Sequence, residues 1–123
     1  MKKNSTSEPT GPAGEAVEIV TFRLMRGVSF AEFIDANRDV DAWLLLQPGF
    51  RSRRIGEQPG ACVVDVLLWH SEAAARAAMH KLMDELADSP VHALIDQDTV
   101  TWTVAGIRHS HAIDGCRQHT ASI

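Results

Sequence analysis

Apolar and polar residues alternate along 16–25, which predicts a β-strand because successive side chains of a strand point to opposite faces. The strongly apolar face of this strand consists of Val20, Phe22 and Leu24. Its mixed face consists of Ile19, Thr21 and Arg23. A turn at Arg26-Gly27 ends the strand.

The next segment repeats its apolar residues at helical spacing. Ser29 and Glu32 have the spacing of a capping box, in which each side chain bonds a backbone amide at the start of a helix. The pattern predicts one amphipathic helix over 30–46, ended by Gln47-Pro48-Gly49. Asn37 interrupts the apolar stripe of that helix, and we expect it either to bond neighbouring backbone or to contact a ligand.

Two further strands follow, separated by a turn signal at Gln58-Pro59-Gly60. The segment 50–57 contains three arginines, which favours an edge of the sheet. The segment 61–69 is the most apolar of the chain and is the predicted central strand. One of its faces consists of Cys62, Val64, Val66 and Leu68. The other consists of Val63, Asp65, Leu67 and Trp69.

The last third of the domain contains a helix and a strand. Ser71 is the predicted cap of a second amphipathic helix that runs to about Ala87, and a short turn or helical piece follows over 90–95. The segment 99–105 alternates as the final strand.

The element order is therefore β-α-β-β-α-β. With right-handed crossovers it predicts an α+β, ferredoxin-like fold, a four-stranded antiparallel sheet with two helices on one face. The domain is expected to span 16–106, between a flexible leader at 1–15 and a C-terminal tail at 107–123.

The sheet face opposite the helices requires a cover, because monomers rarely expose large apolar patches. A two-fold homodimer that packs the open faces together into a dimeric α/β barrel is predicted, and imperfect closure would leave a cavity. Thr21, Arg23 and Asp65 would supply polar groups among apolar walls, as in small-molecule sites. The alternative is a filled interface in which Asp65 pairs with Arg23. The expected patch consists of Ile19, Val63, Leu67 and Trp69.

Composition and charge exclude several classes of function. The 123 residues include 12 Lys plus Arg and 16 Asp plus Glu, a net charge of −4, which argues against a nucleic-acid partner. The longest apolar runs, Cys62–Val64 and Val66–Trp69, are far shorter than the roughly 18 residues of a membrane span. Residues 4–15 contain no hydrophobic segment of a secretory signal, and two cysteines are too few for a disulfide framework. A cytoplasmic location is expected.

Three segments of the chain resemble the dimeric α/β-barrel superfamily, and within it the antibiotic-biosynthesis monooxygenase-like family. They are VEIVTFRL at 17–24, QPGF at 47–50 and WHSEAA at 69–74. The resemblance covers 16–106. It implies a homodimer. Members of the family include enzymes that oxidise a small apolar or aromatic, enolisable compound without metal or flavin, by stabilising a carbanion that reacts with dioxygen.

The same resemblance implies roles for single residues. Members that oxidise anthrones have an Asn four residues before a strand-end Trp, that Trp, a Tyr and an Arg. Here Trp69 matches, Asp65 stands where the Asn is expected, and the sequence contains no tyrosine. Haem-degrading members are linked to an Asn on the first strand, and 16–25 contains none.

Asp65 is the first candidate catalytic residue, because a carboxylate in an apolar strand is costly to bury unless it is paired or hydrogen-bonded. Facing a dry cavity, it would act as a general base toward an activated carbon acid. The alternative is a salt bridge to Arg23 or Arg54. Trp69 is the second candidate, as a residue that stacks on a ligand or as a core residue. The expected substrate-binding residues are Thr21, Arg23, Leu67 and His92.

Two functions compete on this evidence. The first is a cofactor-independent monooxygenase-like enzyme, and the alternative is a non-catalytic module that binds a small hydrophobic ligand on the same scaffold. A third, lesser alternative is metal binding in the tail. No metal or cofactor is predicted, because the spacing of the tail residues matches no strong zinc template. The tail residues are His109, His111, Cys116 and His119.

Overall fold

The computed structural model describes residues 14–113 and confirms the predicted α+β, ferredoxin-like fold. The four strands form one antiparallel sheet in the order β2-β3-β1-β4, with the helices on one face. Of the predicted leader and tail, residues 1–13 and 114–123 lie outside the described residues. The elements are β1 (Ala16–Leu24), α1 (Phe30–Asp35), α2 (Arg38–Leu44), β2 (Phe50–Gln58), β3 (Cys62–Trp69), α3 (Glu72–Glu85), a 3₁₀ helix (Pro90–Leu94) and β4 (Ile95–Gly106).

The helix predicted over 30–46 is two helices, α1 and α2, with a break at Asn37. The capping box is confirmed, since the Glu32 amide donates to Ser29 Oγ and the Ser29 amide donates to Glu32 Oε1. At the break, Asn37 Nδ2 donates to the Phe33 carbonyl at 2.8 Å. In a continuous helix the Asn37 amide would occupy that carbonyl, but it bonds Ile34 O instead. The side chain thus competes with the helical hydrogen bond and ends the helix.

The pairing of β1 with β3 decides which side chains lie under the helices. Val20 lies opposite Asp65, and Glu18 lies opposite Leu67. The even-numbered residues of β1 therefore share a face with the odd-numbered residues of β3, and this covered face contains the hydrophobic core. The expected patch, which grouped Ile19 with Val63, Leu67 and Trp69 on the open face, is wrong. The open face instead carries Val17, Ile19, Val64, Val66 and Leu68.

The edge strand β2 contains a bulge between Phe50 and Ser52. Phe50 lies opposite Trp69 and Arg53 lies opposite Leu67, so both face the helices. Regular alternation from Phe50 would have turned Arg54 toward the helices, and the extra residue in the bulge turns Arg53 there instead. The predicted edge position of this strand and the central position of β3 are confirmed.

The last strand, β4, is longer than predicted because it begins at Ile95 rather than Thr99. A bulge interrupts its pairing with β1 between Thr21 and Arg23. There Thr99 Oγ1 accepts the Arg23 amide at 2.8 Å and donates to the Asp96 carbonyl. The side-chain hydroxyl thus replaces a backbone partner, and the strand continues through the bulge.

The second predicted helix is confirmed as α3, with Ser71 Oγ accepting the Ala74 amide. Within residues 14–113, no helix is both long and apolar enough to span a bilayer.

Candidate functional site

A pocket of about 310 Å³ lies between the sheet and the helices. Its walls are mainly apolar, and its volume is at the lower end of the range of about 300–1,000 Å³ typical of small-molecule sites. All four strands contribute Glu18, Val20, Phe22, Arg53, Asp65, Leu67, Trp69, Ile95, Gln97, Val100 and Trp102. The helices contribute Val40, Trp43, Leu44, Ala78, Met79, Leu82, Met83 and His92.

Four of the six predicted site residues line this pocket: Asp65, Trp69, Leu67 and His92. Thr21 and Arg23 lie on the open face, since they pair with Val64 and Cys62 across the sheet. The expectation that they share a sheet face with Asp65 is therefore wrong, whereas a cavity between the open face and a dimer partner stays a prediction. The physical reason is that alternation assigns residues to the faces of one strand but does not say which faces of two strands coincide.

Asp65 is paired with Arg53, not with Arg23 or Arg54. Arg53 Nε donates to Oδ1 at 3.0 Å and Nη2 donates to Oδ2 at 2.8 Å, a bidentate geometry. The same guanidinium donates from Nη2 to Asn37 Oδ1 and from Nη1 to Asp41 Oδ1, each at 2.8 Å. We call these four residues (Asp65, Arg53, Asn37 and Asp41) the Arg53 cluster.

The hydrogen bonds of the Arg53 cluster use most of the donors of Arg53 and both carboxylate oxygens of Asp65. A guanidinium has five N–H groups, and four of those on Arg53 are used. Burial disfavours the charge, but the bonds and the attraction of Asp65 and Asp41 outweigh it, so the pKa of Arg53 lies above its usual value. Both oxygens of Asp65 are engaged, and the side chain of Asn37 joins the α1–α2 break to the edge strand.

Glu18 is a functional candidate that was not predicted from the sequence. It is 7% exposed and lies on the covered face of β1. Trp69 Nε1 donates to Oε1 at 2.8 Å, and Trp102 Nε1 donates to Oε2 at 2.7 Å. We call these three residues the Glu18 cluster. The signal was present in the sequence, because Glu18 precedes Val20, Phe22 and Leu24 by two, four and six residues and so had to share their apolar face.

The electrostatics of Glu18 differ from those of Asp65. Burial raises the pKa of Glu18, and the negative charge of Asp65 adds to the rise; the indole hydrogen bonds of Trp102 and Trp69 and the charge of Arg53 oppose it without cancelling it. Within residues 14–113, no ion pair involves Glu18. The carboxylate is therefore held by neutral donors.

The three tryptophans all line the pocket. Trp69 is 1% exposed and packs edge-to-face with Phe50, with ring centroids 5.5 Å apart, so it is both a core residue and a pocket wall. Trp102 lies under the guanidinium of Arg76, 5.4 Å from the ring centroid. Trp43 donates its indole N–H to Glu85 at 2.8 Å.

His92, one of the expected substrate-binding residues, lies in the 3₁₀ helix and lines the pocket. Its Nε2 lies 2.9 Å from the Leu86 carbonyl, and a carbonyl can only accept, so Nε2 carries a proton. In the neutral ring Nδ1 is then an acceptor.

The metal alternative concerns the tail. In the part of the chain that the structure describes, no group of three or more His, Cys, Asp or Glu side chains is arranged to hold a metal ion. His109 and His111 follow β4 and are exposed. Cys116 and His119 lie outside the described residues, so metal binding by all four stays a prediction.

Comparisons with known proteins identify the fold. No protein-family model matches the sequence, and no curated protein matches it. SnoaB, a cofactor-independent oxygenase from Streptomyces nogalater, is similar with a TM-score of 0.64 at 20% identity, over 80% of this chain and 97% of that chain. A monooxygenase from the gene ActVA-Orf6 of Streptomyces coelicolor, in complex with Nanaomycin D, gives 0.59 at 21% identity, over 85% and 96%.

The similarity extends to a conserved protein from Methanosarcina mazei Go1, with a TM-score of 0.63 at 7% identity, over 79% of this chain and 96% of that chain. The resemblance noted in the sequence is thus confirmed for the fold, which this chain shares with proteins from Chloroflexus aurantiacus and Nitrosomonas europaea that are described as putative antibiotic biosynthesis monooxygenases. At these identities the activity has to be argued from the pocket itself.

Proposed function

We propose that this chain is a cofactor-independent, monooxygenase-like enzyme that oxidises a small apolar or aromatic, enolisable compound in the pocket between the sheet and the helices. One observation carries the proposal: a buried carboxylate, held by two neutral indoles, lines an otherwise mainly apolar pocket. Such a group can take a proton from a carbon acid that binds in this pocket.

The chemistry balances without a flavin or a metal. An activated CH₂ group loses one proton to a carboxylate, and the electron pair stays on the carbon as a delocalised carbanion. Dioxygen is the oxidant and adds to that carbon, and loss of water from the hydroperoxide leaves a carbonyl. The sum is CH₂ + O₂ → C=O + H₂O, in which the substrate supplies all four electrons.

The structural neighbours support this direction. SnoaB is described as a cofactor-independent oxygenase, and the ActVA-Orf6 protein is a monooxygenase whose structure contains a ligand. In this chain the rings of Trp43, Trp69 and Trp102 offer apolar surface to a planar molecule. Asp65 and Trp69 remain part of the proposed site, Asp65 as a wall residue fixed by Arg53 and Trp69 as a donor to Glu18.

The proposal includes a homodimer formed through the open face. That face carries the apolar residues of β1 and β3, and Ile19 is 36% exposed. A second copy would cover them with one self-complementary contact. Val66→Arg should convert a dimer of twice 13.5 kDa into a monomer by light scattering, because it places a charge in the centre of the patch. If light scattering shows that the wild-type chain is a monomer, the proposed homodimer is contradicted.

A non-catalytic ligand-binding module is the second candidate. It is favoured by the engagement of both Asp65 oxygens with Arg53 and by the absence of tyrosine from the sequence. The two candidates share the pocket and differ in turnover.

Oxygen uptake separates the two functions. The purified chain, with chelator present, is mixed with anthrone as a model carbon acid, and dioxygen consumption and tryptophan quenching are recorded. We expect both signals, and we expect Ala78→Leu, which fills the pocket, to lose both. Ala77→Leu is the matched control, because Ala77 is the exposed neighbour on the same helix. Quenching without dioxygen uptake favours the binding module. The absence of both signals would contradict both functions.

The cytoplasmic location and the absence of a nucleic-acid partner are also proposals. They rest on the cysteine count and the net charge of −4. Cell fractionation and a gel-shift assay with duplex DNA are the measurements that check them.

A further inference from the structure

We propose that Glu18 is the general base of this pocket and that it restricts the pocket to neutral ligands that present an acidic O–H or C–H hydrogen. The catalytic part rests on the proposed function, whereas the selectivity for neutral ligands stands on the geometry and the charges of the pocket.

The hydrogen bonds of Glu18 leave room for a ligand. Trp69 occupies one acceptor position on Oε1, and Trp102 occupies one on Oε2. A carboxylate has about four lone-pair positions, two on each oxygen. Because Glu18 lines the pocket, its remaining positions are available to a hydrogen that a ligand presents there. The two indoles approach different oxygens and so fix the plane of the carboxylate.

The second acid of the pocket is not equivalent. Both oxygens of Asp65 accept from Arg53, and the same guanidinium also bonds Asn37 and Asp41. A ligand hydrogen at Asp65 would compete with a charge-assisted, bidentate pair, which is among the stronger hydrogen-bond arrangements in proteins. At Glu18 each oxygen accepts one neutral indole N–H, so a ligand hydrogen can use a remaining acceptor position without displacing a charged donor.

The charges of the pocket exclude anionic ligands. The ionised wall residues are Glu18, Asp65 and Arg53, which sum to one negative charge. Arg53 has four of its five N–H groups in use, so it offers an anion little. His92 donates its Nε2 hydrogen to Leu86 O. A carboxylate ligand would therefore meet a like charge in a mainly apolar pocket.

Burial gives the proposed base its strength. The pKa of Glu18 is raised mainly by desolvation. The carboxylate is therefore a stronger base than an exposed glutamate. In the proposed step the C–H or O–H proton moves to a Glu18 oxygen, and the electron pair stays on the ligand. The groups around Glu18 are Trp69 and Asp65 from β3, Trp102 from β4, Arg53 from β2, Arg76 above the Trp102 ring and His92 in the same pocket.

Two probes of the same shape test the selectivity. At neutral pH, 2-naphthol is a neutral donor and 2-naphthoate is an anion, and quenching of tryptophan fluorescence measures the binding of each. We expect wild type to bind 2-naphthol at least about tenfold more tightly, and Glu18→Gln to lose this preference. Equal affinities in wild type, no binding of either probe, or an unchanged preference in Glu18→Gln would each overturn the proposal.

The control is Glu85→Gln. Glu85 also accepts an indole N–H, from Trp43 at 2.8 Å, but it is exposed and does not line the pocket. This variant should keep the preference for 2-naphthol. Glu18→Asp retains the charge with a shorter reach and should keep the discrimination against 2-naphthoate, which guards against a folding defect in Glu18→Gln.

Deuterium exchange under nitrogen tests the base without using the oxidation. Anthrone in D₂O is followed by NMR, and we expect wild type to accelerate the loss of its acidic C–H signal. General-base catalysis contributes about 10²–10⁴-fold, so Glu18→Gln should lose a factor of that size and Glu85→Gln should not.

The two assays separate the two proposals. Exchange that depends on Glu18 without dioxygen uptake in air would support the base and contradict the monooxygenase. Dioxygen uptake that Glu18→Gln leaves unchanged would support the monooxygenase and overturn the role of Glu18.

Discussion

The Arg53 cluster and the Glu18 cluster lie side by side on the covered face of the sheet and hold buried carboxylates in opposite ways. Glu18 lies opposite Leu67 and Val20 lies opposite Asp65, so the two acids are diagonal neighbours on β1 and β3. Asp65 receives a full positive charge in a bidentate pair. Glu18 receives two neutral N–H groups.

This difference suggests different roles for the two carboxylates, a structural one for Asp65 and a chemical one for Glu18. A carboxylate neutralised by a guanidinium is fixed in position, and removing either partner leaves an isolated buried charge. A carboxylate held by neutral donors keeps its net charge and its free acceptor positions, at a cost in stability. The comparison therefore assigns the reactive role to Glu18 and the organising role to Arg53.

Removal of the Arg53 guanidinium tests the comparison with the largest expected effect. Arg53→Met should lower the free energy of unfolding by about 3–5 kcal/mol, because it leaves Asp65 buried without a cation. Urea unfolding followed by tryptophan fluorescence measures this. Arg54→Met, at the neighbouring exposed position, should change stability by no more than about 0.5 kcal/mol. A similar small loss in both variants would contradict the structural role of the cluster.

Neutralising Asp65 should have the next largest effect. Asp65→Asn removes the charge from two hydrogen bonds of Arg53, and we expect a loss of about 3 kcal/mol in urea unfolding. The affinity for 2-naphthol should stay unchanged, because Asp65 does not offer a free acceptor. A variant that folds stably but no longer binds 2-naphthol would reverse the roles given to the two acids.

Removing one indole donor should cost less. Trp102→Phe retains most of the ring but deprives Glu18 of one hydrogen bond, and a loss of about 1.5 kcal/mol is expected at neutral pH. Trp43→Phe removes the corresponding bond to exposed Glu85 and should cost no more than about 1 kcal/mol. Thermal unfolding of both variants, in parallel, measures the difference, and equal losses would show that burial adds nothing to the bond at Glu18.

The pH dependence of stability gives the smallest and most specific effect. Burial raises the pKa of Glu18, so the folded chain binds this proton more tightly than the unfolded chain does. The free energy of unfolding should therefore fall as pH rises from about 4.3, the ordinary glutamate value, through the raised pKa. Measured against Glu18→Gln, wild type should gain stability on acidification across this interval, and parallel curves would contradict the shift.

The sequence predicts much of this fold because its local signals agree with one another. The capping box at Ser29, the cap at Ser71 and the apolar run of β3 each indicate one element at one place, and the structure confirms them. The break at Asn37 was signalled only as a polar residue in an apolar stripe. Its cause is the hydrogen bond from the Asn37 side chain to the Phe33 carbonyl, which the apolar pattern does not reveal.

The site was less predictable because it depends on relations between strands. Alternation correctly placed Asp65 and Trp69 on one face of β3. No local signal shows that this face lies on the same side of the sheet as Val20 of β1 rather than Ile19. The partner of Asp65 was missed for the same reason, since the bulge near Phe50 selects Arg53 over Arg54. Glu18 was within reach, as a charged residue on the strand face that was already recognised as apolar.

The bulge in the edge strand also bears on how related sequences should be aligned with this one. Phe50 and Arg53 both face the helices because one residue between Phe50 and Ser52 is set aside from the alternation. A relative with one residue fewer at this point would keep both side chains facing inward in a regular strand. A gap placed further along β2 would instead exchange its two faces and turn the guanidinium away from Asp65. Alignments should therefore place the gap at Arg51.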